Sequence, residues 1–518
     1  MTTLSSPAVT QIPHHIAGRR AELIGDVLPS GRTADVYDPS TGRVQAQVPL
    51  ATAAEVDAAV EIASAAQKEW AAWNPQRRAR VLMRFVELVN QNMDALATRL
   101  SLEHGKTFPD AKGDIARGLD VIEFSIGIPH LGKGEFTEGA GTGIDVHSMR
   151  QPLGVVAGIT PFNFPAMIPL WKIGPALACG NAFILKPSER DPSVPLMLAE
   201  LFTEAGLPDG VLQVLHGDKE SVDALLAHPD VKALGFVGSS DIAQYIYATA
   251  AANGKRSQCF GGAKNHMIIL PDADMDLVVD ALIGAGYGSA GERCMAISVA
   301  VPVGEETANA LREKLTERVR ALRVGHSLDP QSDYGPLVSA AARDRVIDYI
   351  DQGVQQGAEL VIDGRDRGSD DASFDGEDLA GGFYLGPTLF DHVGTDMSIY
   401  TDEIFGPVVC IVRAKDYEEA LALPSEHEYG NGVAIFTRDG DAARDFTARV
   451  DVGMVGVNVP IPVPVAYHTF GGWKRSGFGD LNQHGPAAIA FYTKTKTVTT
   501  RWPSGVRAGA DFAMPTMQ

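Results

Sequence analysis

Apolar residues change their rhythm along this chain, and the change divides it. Up to about residue 125 they recur at helical spacing; from Gly154 onward they gather into short solid runs. Thr52-Ala-Ala-Glu55 is a capping-box pattern, in which the threonine oxygen and the glutamate meet the first free N–H groups of a helix. That helix is expected to run to about Trp73. Asn74-Pro75 opens a second, with proline at a first-turn position. Val81, Phe85, Leu88, Val89, Met93, Leu96 and Leu100 keep one face apolar until His104-Gly105 stops it. A third helix is expected over roughly 110–125, with Arg117 among its apolar residues. Stretch 132–153 is glycine-rich and alternates apolar with polar at 144–149, which suggests an exposed hairpin.

From Gly154 the runs 155–160, 182–185, 211–215, 233–237 and 267–270 alternate with helical segments of ten or more residues. This is the pattern of βαβ units, a parallel sheet with helices on both faces. It resumes with strands at 297–303, 408–414 and 433–437 and helices at 305–322 and 341–356. The acidic, glycine-rich stretch 363–378 reads as a surface loop. The alternating run 491–500 is a candidate partner for the hairpin, within one subunit or across a subunit boundary, because exposed edges tend to be paired. The fold class is α/β.

At 518 residues the chain exceeds what one core usually supports. Its four cysteines (Cys179, Cys259, Cys294 and Cys410) form no C-x-x-C pair, which argues against disulfides or a zinc site and for a reducing, cytoplasmic setting. The N-terminus shows no secretion signal. The most apolar long stretch, 155–179, holds four prolines besides Asn163 and Lys172, so no membrane span is expected. A net charge of −21 disfavours nucleic acid as a partner. Any anionic cofactor must then be met by local cations and backbone N–H groups.

Candidate chemistry lies at the ends of the strand-like runs, where α/β sheets bind ligands. Cys294 sits in Gly288-Ser-Ala-Gly-Glu-Arg-Cys-Met-Ala-Ile-Ser298, a small-residue junction that a substrate can approach closely. Asn163, in Thr160-Pro-Phe-Asn-Phe-Pro165, offers an amide to a developing oxyanion, or is simply a turn former. Lys186 and Glu189 could meet ribose hydroxyls. A carboxylate there favours NAD over NADP, although Arg190 beside it weakens the preference. Gly238-Ser239 ends a strand, opens a helix and suits a pyrophosphate. The glycine clusters 139–143 and 284–288 lack the strand-then-helix context of a dinucleotide fingerprint.

Pro161-Phe-Asn-Phe-Pro165, Lys186-Pro-Ser-Glu189, Gly238-Ser239, Gly261-Gly262, Cys294 and Glu403-Ile-Phe-Gly-Pro407 together, in this order, resemble the motif set of the aldehyde dehydrogenase superfamily. The resemblance implies a Rossmann-type NAD-binding domain (1–135 and 156–268), an α/β catalytic domain (269–470) and a β-hairpin oligomerisation arm (136–155 and 488–503). It implies that Cys294 is the nucleophile and that Asn163 holds the oxyanion. Thr160, Phe162, Lys186, Glu189, Arg190, Gly238, Ser239 and Gly261 would line the cofactor site, with Glu403 and Phe405 at the nicotinamide end. A homotetramer is also implied.

Hydrolytic members carry a glutamate two residues before the Gly-Gly pair, and Cys259 stands there in this sequence. Without a positioned base, water attack loses a factor of roughly 10²–10⁴. The thioacyl enzyme is then expected to wait for a better nucleophile, such as the thiol of coenzyme A. Gly262-Ala-Lys-Asn-His266, Glu292-Arg-Cys-Met295 and Gly456-Val-Asn-Val-Pro-Ile-Pro-Val-Pro464 resemble the CoA-acylating branch that acts on methylmalonate and malonate semialdehydes. Arg117 and Arg293 match that branch's substrate arginines, and arginine suits bidentate pairing with a short carboxylate. The alternative is a hydrolytic semialdehyde dehydrogenase that uses no CoA.

Overall fold

The computed structural model describes residues 9–502. Residues 1–8 of the expected first domain, and residue 503 of the expected arm, lie outside it. Short runs that are buried along their whole length become the middle of two sheets, because only a strand covered on both faces can be apolar throughout. The first sheet has eight strands. Five of them are parallel, in the order Arg256–Phe260, Val231–Val237, Val155–Ile159, Ala182–Lys186 and Leu212–Val214. His14–Ile16 and Arg19–Ala21 extend one side antiparallel, and Gly477–Phe478 the other. One face packs on helices Pro75–Gln91, Met167–Ala178 and Ser193–Glu204. The other packs on Ala53–Ala72, Lys219–Ala227 and Ser240–Ala252.

The second sheet orders Glu359–Ile362, Thr388–Asp391, Val408–Ile411, Ile297–Pro302, Asn265–Ile269, Gly432–Phe436 and Met454–Val457, parallel except for the first. Helices Met275–Tyr287, Glu305–Ala321 and Ala340–Gln355 cover it. Among the described residues no helix is long and apolar enough to cross a membrane.

The capping box at Thr52 and Glu55 forms as expected. The second expected helix is instead two, Pro75–Gln91 and Met93–His104, because the Asn92 side chain donates to the Leu88 carbonyl at 2.8 Å and competes with the helical ladder. Strand Arg256–Phe260 carries no apolar run in its first half and is not expected from the pattern. The expected boundary at 268 also moves: Asn265–Ile269 lies wholly in the second sheet, so the chain changes sheets at 261–264. The final run pairs within the subunit. Thr493–Arg501 meets Ile144–Pro152 along its full length, and Phe136–Gly141 completes a three-stranded arm.

Candidate active site

The change of sheets puts the ends of both parallel sheets around one cavity of about 410 Å³. Of the expected site residues, Phe162, Asn163, Arg190, Gly238, Ser239, Gly261, Cys294, Glu403 and Phe405 line it. Arg345, from helix Ala340–Gln355, lines it as well and carries no motif that would have marked it.

Cys294 follows a strained lead-in. Ser289, Ala290 and Gly291 all take positive φ (55°, 52° and 73°), and a Cβ at Gly291 would lie 2.1 Å from the Gly406 carbonyl. Strain of this kind persists only where surroundings fix it. Here Asn265 donates to the carbonyls of Cys294 and Ala296, both at 2.9 Å, and Asn431 donates to the Cys294 carbonyl at 3.2 Å. These two asparagines were not singled out from the sequence. Burial pushes the Cys294 thiol up to about 12; the nearby Glu403 adds to this, against weaker help from backbone N–H groups and Lys106.

Asn163 is buried in the turn after Val155–Ile159, and its side-chain amide has no hydrogen-bond partner among the described residues. It is free for a ligand. Phe405, at φ 59°, stands edge-on to Phe162 with centroids 5.9 Å apart, and Arg190 lies 5.1 Å over the other aromatic, Phe162. Glu403 accepts from the Ala263 N–H at 2.9 Å; burial pushes its carboxyl up to about 7. The Gly261–Gly262 pair permits this closeness, since a Cβ at Gly262 would lie 2.4 Å from Glu403. Ser239 is the N-cap of Ser240–Ala252 and makes no side-chain capping bond, which leaves it and the first N–H groups to an anion.

Thr160, Lys186 and Glu189 do not line the enclosed cavity. They lie beside it: the Thr160 N–H donates to the Lys186 carbonyl at 3.1 Å, and Lys186 Nζ reaches Glu189 at 3.3 Å and the Gly217 carbonyl at 2.8 Å.

Two residues singled out from the sequence lie outside the main cavity. Alternation along Arg256–Phe260 turns Cys259 into the core against helix Ser240–Ala252, where burial pushes its thiol up to about 12. The residue that lines the apolar cleft behind Cys294, with Met167, Trp171 and Phe470, is Phe260. The side chain that this strand turns into the cleft beside Cys294 is thus a phenyl ring, which offers no base. Arg293 also misses the cavity, because successive residues of an extended loop point apart. It pairs with Asp110 at 2.8 Å. Burial opposes the charge on Asp110, but Lys106 and Arg293 outweigh it and hold the carboxyl below its usual range. Arg117 donates to Asp120 at 2.9 Å and to the Pro464 carbonyl at 3.0 Å, while its own carbonyl accepts from Trp171 at 3.1 Å. It stands next to the cleft rather than in it.

A thiol, an unpartnered amide and the open N-terminus of helix Ser240–Ala252 thus meet around one cavity. The aldehyde dehydrogenase family model matches residues 27–498, and the chain belongs to that family. It is 54% identical over 508 residues to the malonate-semialdehyde dehydrogenase of Pseudomonas aeruginosa, covering 97% of this chain and 99% of that one. It is 45% identical over 508 residues to the mitochondrial acylating methylmalonate-semialdehyde dehydrogenase of Arabidopsis thaliana (98% of this chain, 81% of that one). A solved Sinorhizobium meliloti structure, described as a methylmalonate-semialdehyde dehydrogenase complexed with NAD, superposes with a TM-score of 0.93. That pair shares 63% identity over 97% of this chain and 100% of the other. The enzyme of Oceanimonas doudoroffii, titled methylmalonate-semialdehyde dehydrogenase, gives 0.92 at 51% identity, over 96% and 100%.

Proposed function

We infer that the chain is an NAD-dependent, CoA-acylating dehydrogenase of malonate and methylmalonate semialdehydes. The observation that carries this is the pairing of Cys294 and free Asn163 with an apolar Phe260 where water would need a base. The Cys294 sulfur, once deprotonated, adds to the aldehyde carbon. The oxyanion that forms is held by the Asn163 amide and the Cys294 N–H, whose preorganised dipoles act strongly away from water. NAD, when bound, takes up the hydride as the adduct becomes a thioester. That thioester carries a carboxylate on its α carbon, so the carboxyl group stands β to the thioester carbonyl. Breaking the carbon–carbon bond releases CO₂ and leaves the electron pair as an enolate on the same two donors; a proton then restores the carbonyl. The thiolate of CoA attacks the thioester and Cys294 leaves, giving acetyl-CoA or propionyl-CoA.

Arg117 supports recognition of the substrate carboxylate, because it borders the Phe260 cleft and its partners, a half-exposed Asp120 and a carbonyl, are easily exchanged. Arg293 supports the same recognition, because it lines a small pocket with Cys294 and its buried Nε has no partner among the described residues, while its bond to Asp110 braces the catalytic loop. Thr160, Lys186, Glu189 and Ser239 extend the cofactor site toward the adenosine end. The exposed arm supports a homotetramer, and four free cysteines support a cytoplasmic setting.

The test is turnover of both semialdehydes with and without CoA, following NADH and CO₂ together. The expected result is steady NADH formation only with CoA, and without it a single burst of about one NADH per Cys294. Free acid formed steadily without CoA would favour the hydrolytic alternative. Cys294→Ala abolishes the burst.

A further inference from the structure

The turn that carries Asn163 belongs to no helix or strand, so no ladder fixes the direction of its amide. What holds it is a buried cation. Lys106 is fully enclosed, and its Nζ donates to the Asn163 carbonyl at 2.6 Å and reaches Asp114 at 3.3 Å, above the Phe164 ring at 4.2 Å. Asp114 is equally enclosed, and its second oxygen accepts from the Met167 N–H at 2.7 Å, at the start of the helix that follows the turn. Lys106 and Asp114 therefore grip the turn 163–167 on both sides of Phe164. The approach of Lys106 is set by Gly105, at φ +97°, where a Cβ would lie 2.8 Å from the Pro336 carbonyl.

A buried ion pair seldom stabilises more than well-packed apolar residues would, so stability alone explains this one poorly. Its ammonium ends on the backbone of Asn163, which lines the same cavity as Cys294. We propose that Lys106 is a positioning residue for the oxyanion step: it clamps the Asn163 peptide from behind, with Asp114 as its brace, and so aims the free amide at the carbon attacked by Cys294. The proposal rests on the reading of Asn163 as oxyanion donor. Lys106 touches neither substrate nor thiol; beside its weak Coulombic pull on Cys294, the positioning proposed here passes through Asn163.

A double-mutant cycle on the NADH burst, measured in a single turnover without CoA, separates this role from a structural one. Lys106→Met keeps the stem and removes the donor. It should slow the burst roughly 10²-fold, the scale of a 1 Å misplacement of a reacting group. In an Asn163→Ala background the same change should cost less than about twofold, because the amide it aims is already gone. NAD affinity, read by quenching of tryptophan fluorescence, should change little in either variant. If the Lys106→Met loss is as large with Asn163→Ala as without, or absent in both, the proposal fails. If Asn163→Ala by itself leaves the burst intact, the oxyanion reading fails, and this one with it. Should Lys106→Met give no soluble protein, Asp114→Asn carries the same cycle, with a smaller loss that must likewise vanish beside Asn163→Ala.

Discussion

Cys259 and Phe260 are neighbours in one strand, and only the second meets the reacting sulfur's surroundings. Counting back from the Gly-Gly pair cannot tell them apart; side-chain alternation in the folded strand can. The chemical conclusion survives the change of residue and becomes sharper, since a phenyl ring neither accepts a proton nor holds a water. Phe260→Glu should therefore create steady, CoA-independent release of free acid, up to roughly 10²-fold above the parent, detected by NADH formation with CoA omitted. No such gain would mean that access of water, rather than lack of a base, protects the thioester. The thiol makes a second prediction. With its pKa pushed up to about 12, the thiolate fraction of ligand-free Cys294 climbs about tenfold per pH unit through neutrality. Iodoacetamide labelling of the Cys294 peptide, quantified by mass spectrometry, should rise between pH 7 and 10 without a plateau. A plateau by pH 8 would show that the site already stabilises the thiolate. Cys294, Asn163, Glu403 and Phe405 were legible because each sits in a short local motif at a strand end. Asn265, Asn431, Arg345 and Phe260 were not, since their roles come from distant segments meeting, and no local spacing encodes that.

Between elements, the most telling link is Glu292, fully buried two residues before the nucleophile. Both its oxygens lie on the Val338 N–H (3.4 and 3.2 Å), which ties the catalytic loop to the entry of helix Ala340–Gln355, the helix that brings Arg345 and Ala341 to the cavity. Burial pushes its carboxyl up to about 8, against weaker pulls from the Val338 N–H, Arg190, Arg345 and Lys106. The folded state thus holds a proton that the unfolded chain gives up near pH 4.5. Stability contributed at this site is lost as pH rises from about 4.5 to 8. Glu292→Gln keeps an acceptor for Val338 and cannot ionise, so its Tm should fall less than the parent's between pH 5.5 and 8, by a few degrees in thermal scans. Parallel curves would show that this carboxyl does not titrate in that window. The same contrast separates what was readable among the elements. Strongly periodic helices and solid strands appeared where expected, with ends within a few residues. The break at Asn92 and the strand Arg256–Phe260 were missed, because one is set by a single side-chain bond and the other by neighbours on both sides.

At the scale of the whole molecule, the arm stands apart from both sheets. Its strand Thr493–Arg501 pairs with Ile144–Pro152 on one side, while along 493–500 no further strand meets the other side among the described residues. Such an edge invites pairing and is normally covered. Phe136 and Trp502, 65% and 62% exposed, add apolar surface to the arm. The arm contributes no residue to the catalytic cavity, so its pairing should serve assembly and leave the chemistry of each subunit alone. Replacing Thr497 and Val498 together by proline tests this. In a strand successive N–H groups point to opposite sides, so the two changes remove one donor toward Ile144–Pro152 and one toward the outer edge. The particle mass from light scattering should then fall below that of the parent. The NADH burst per Cys294, measured at once after dilution, should stay within about twofold of the parent, as expected for sites with no shared partners. An unchanged particle mass would mean that this edge does not carry assembly; a burst lost together with mass would mean that the cavity needs a neighbouring subunit to hold its shape.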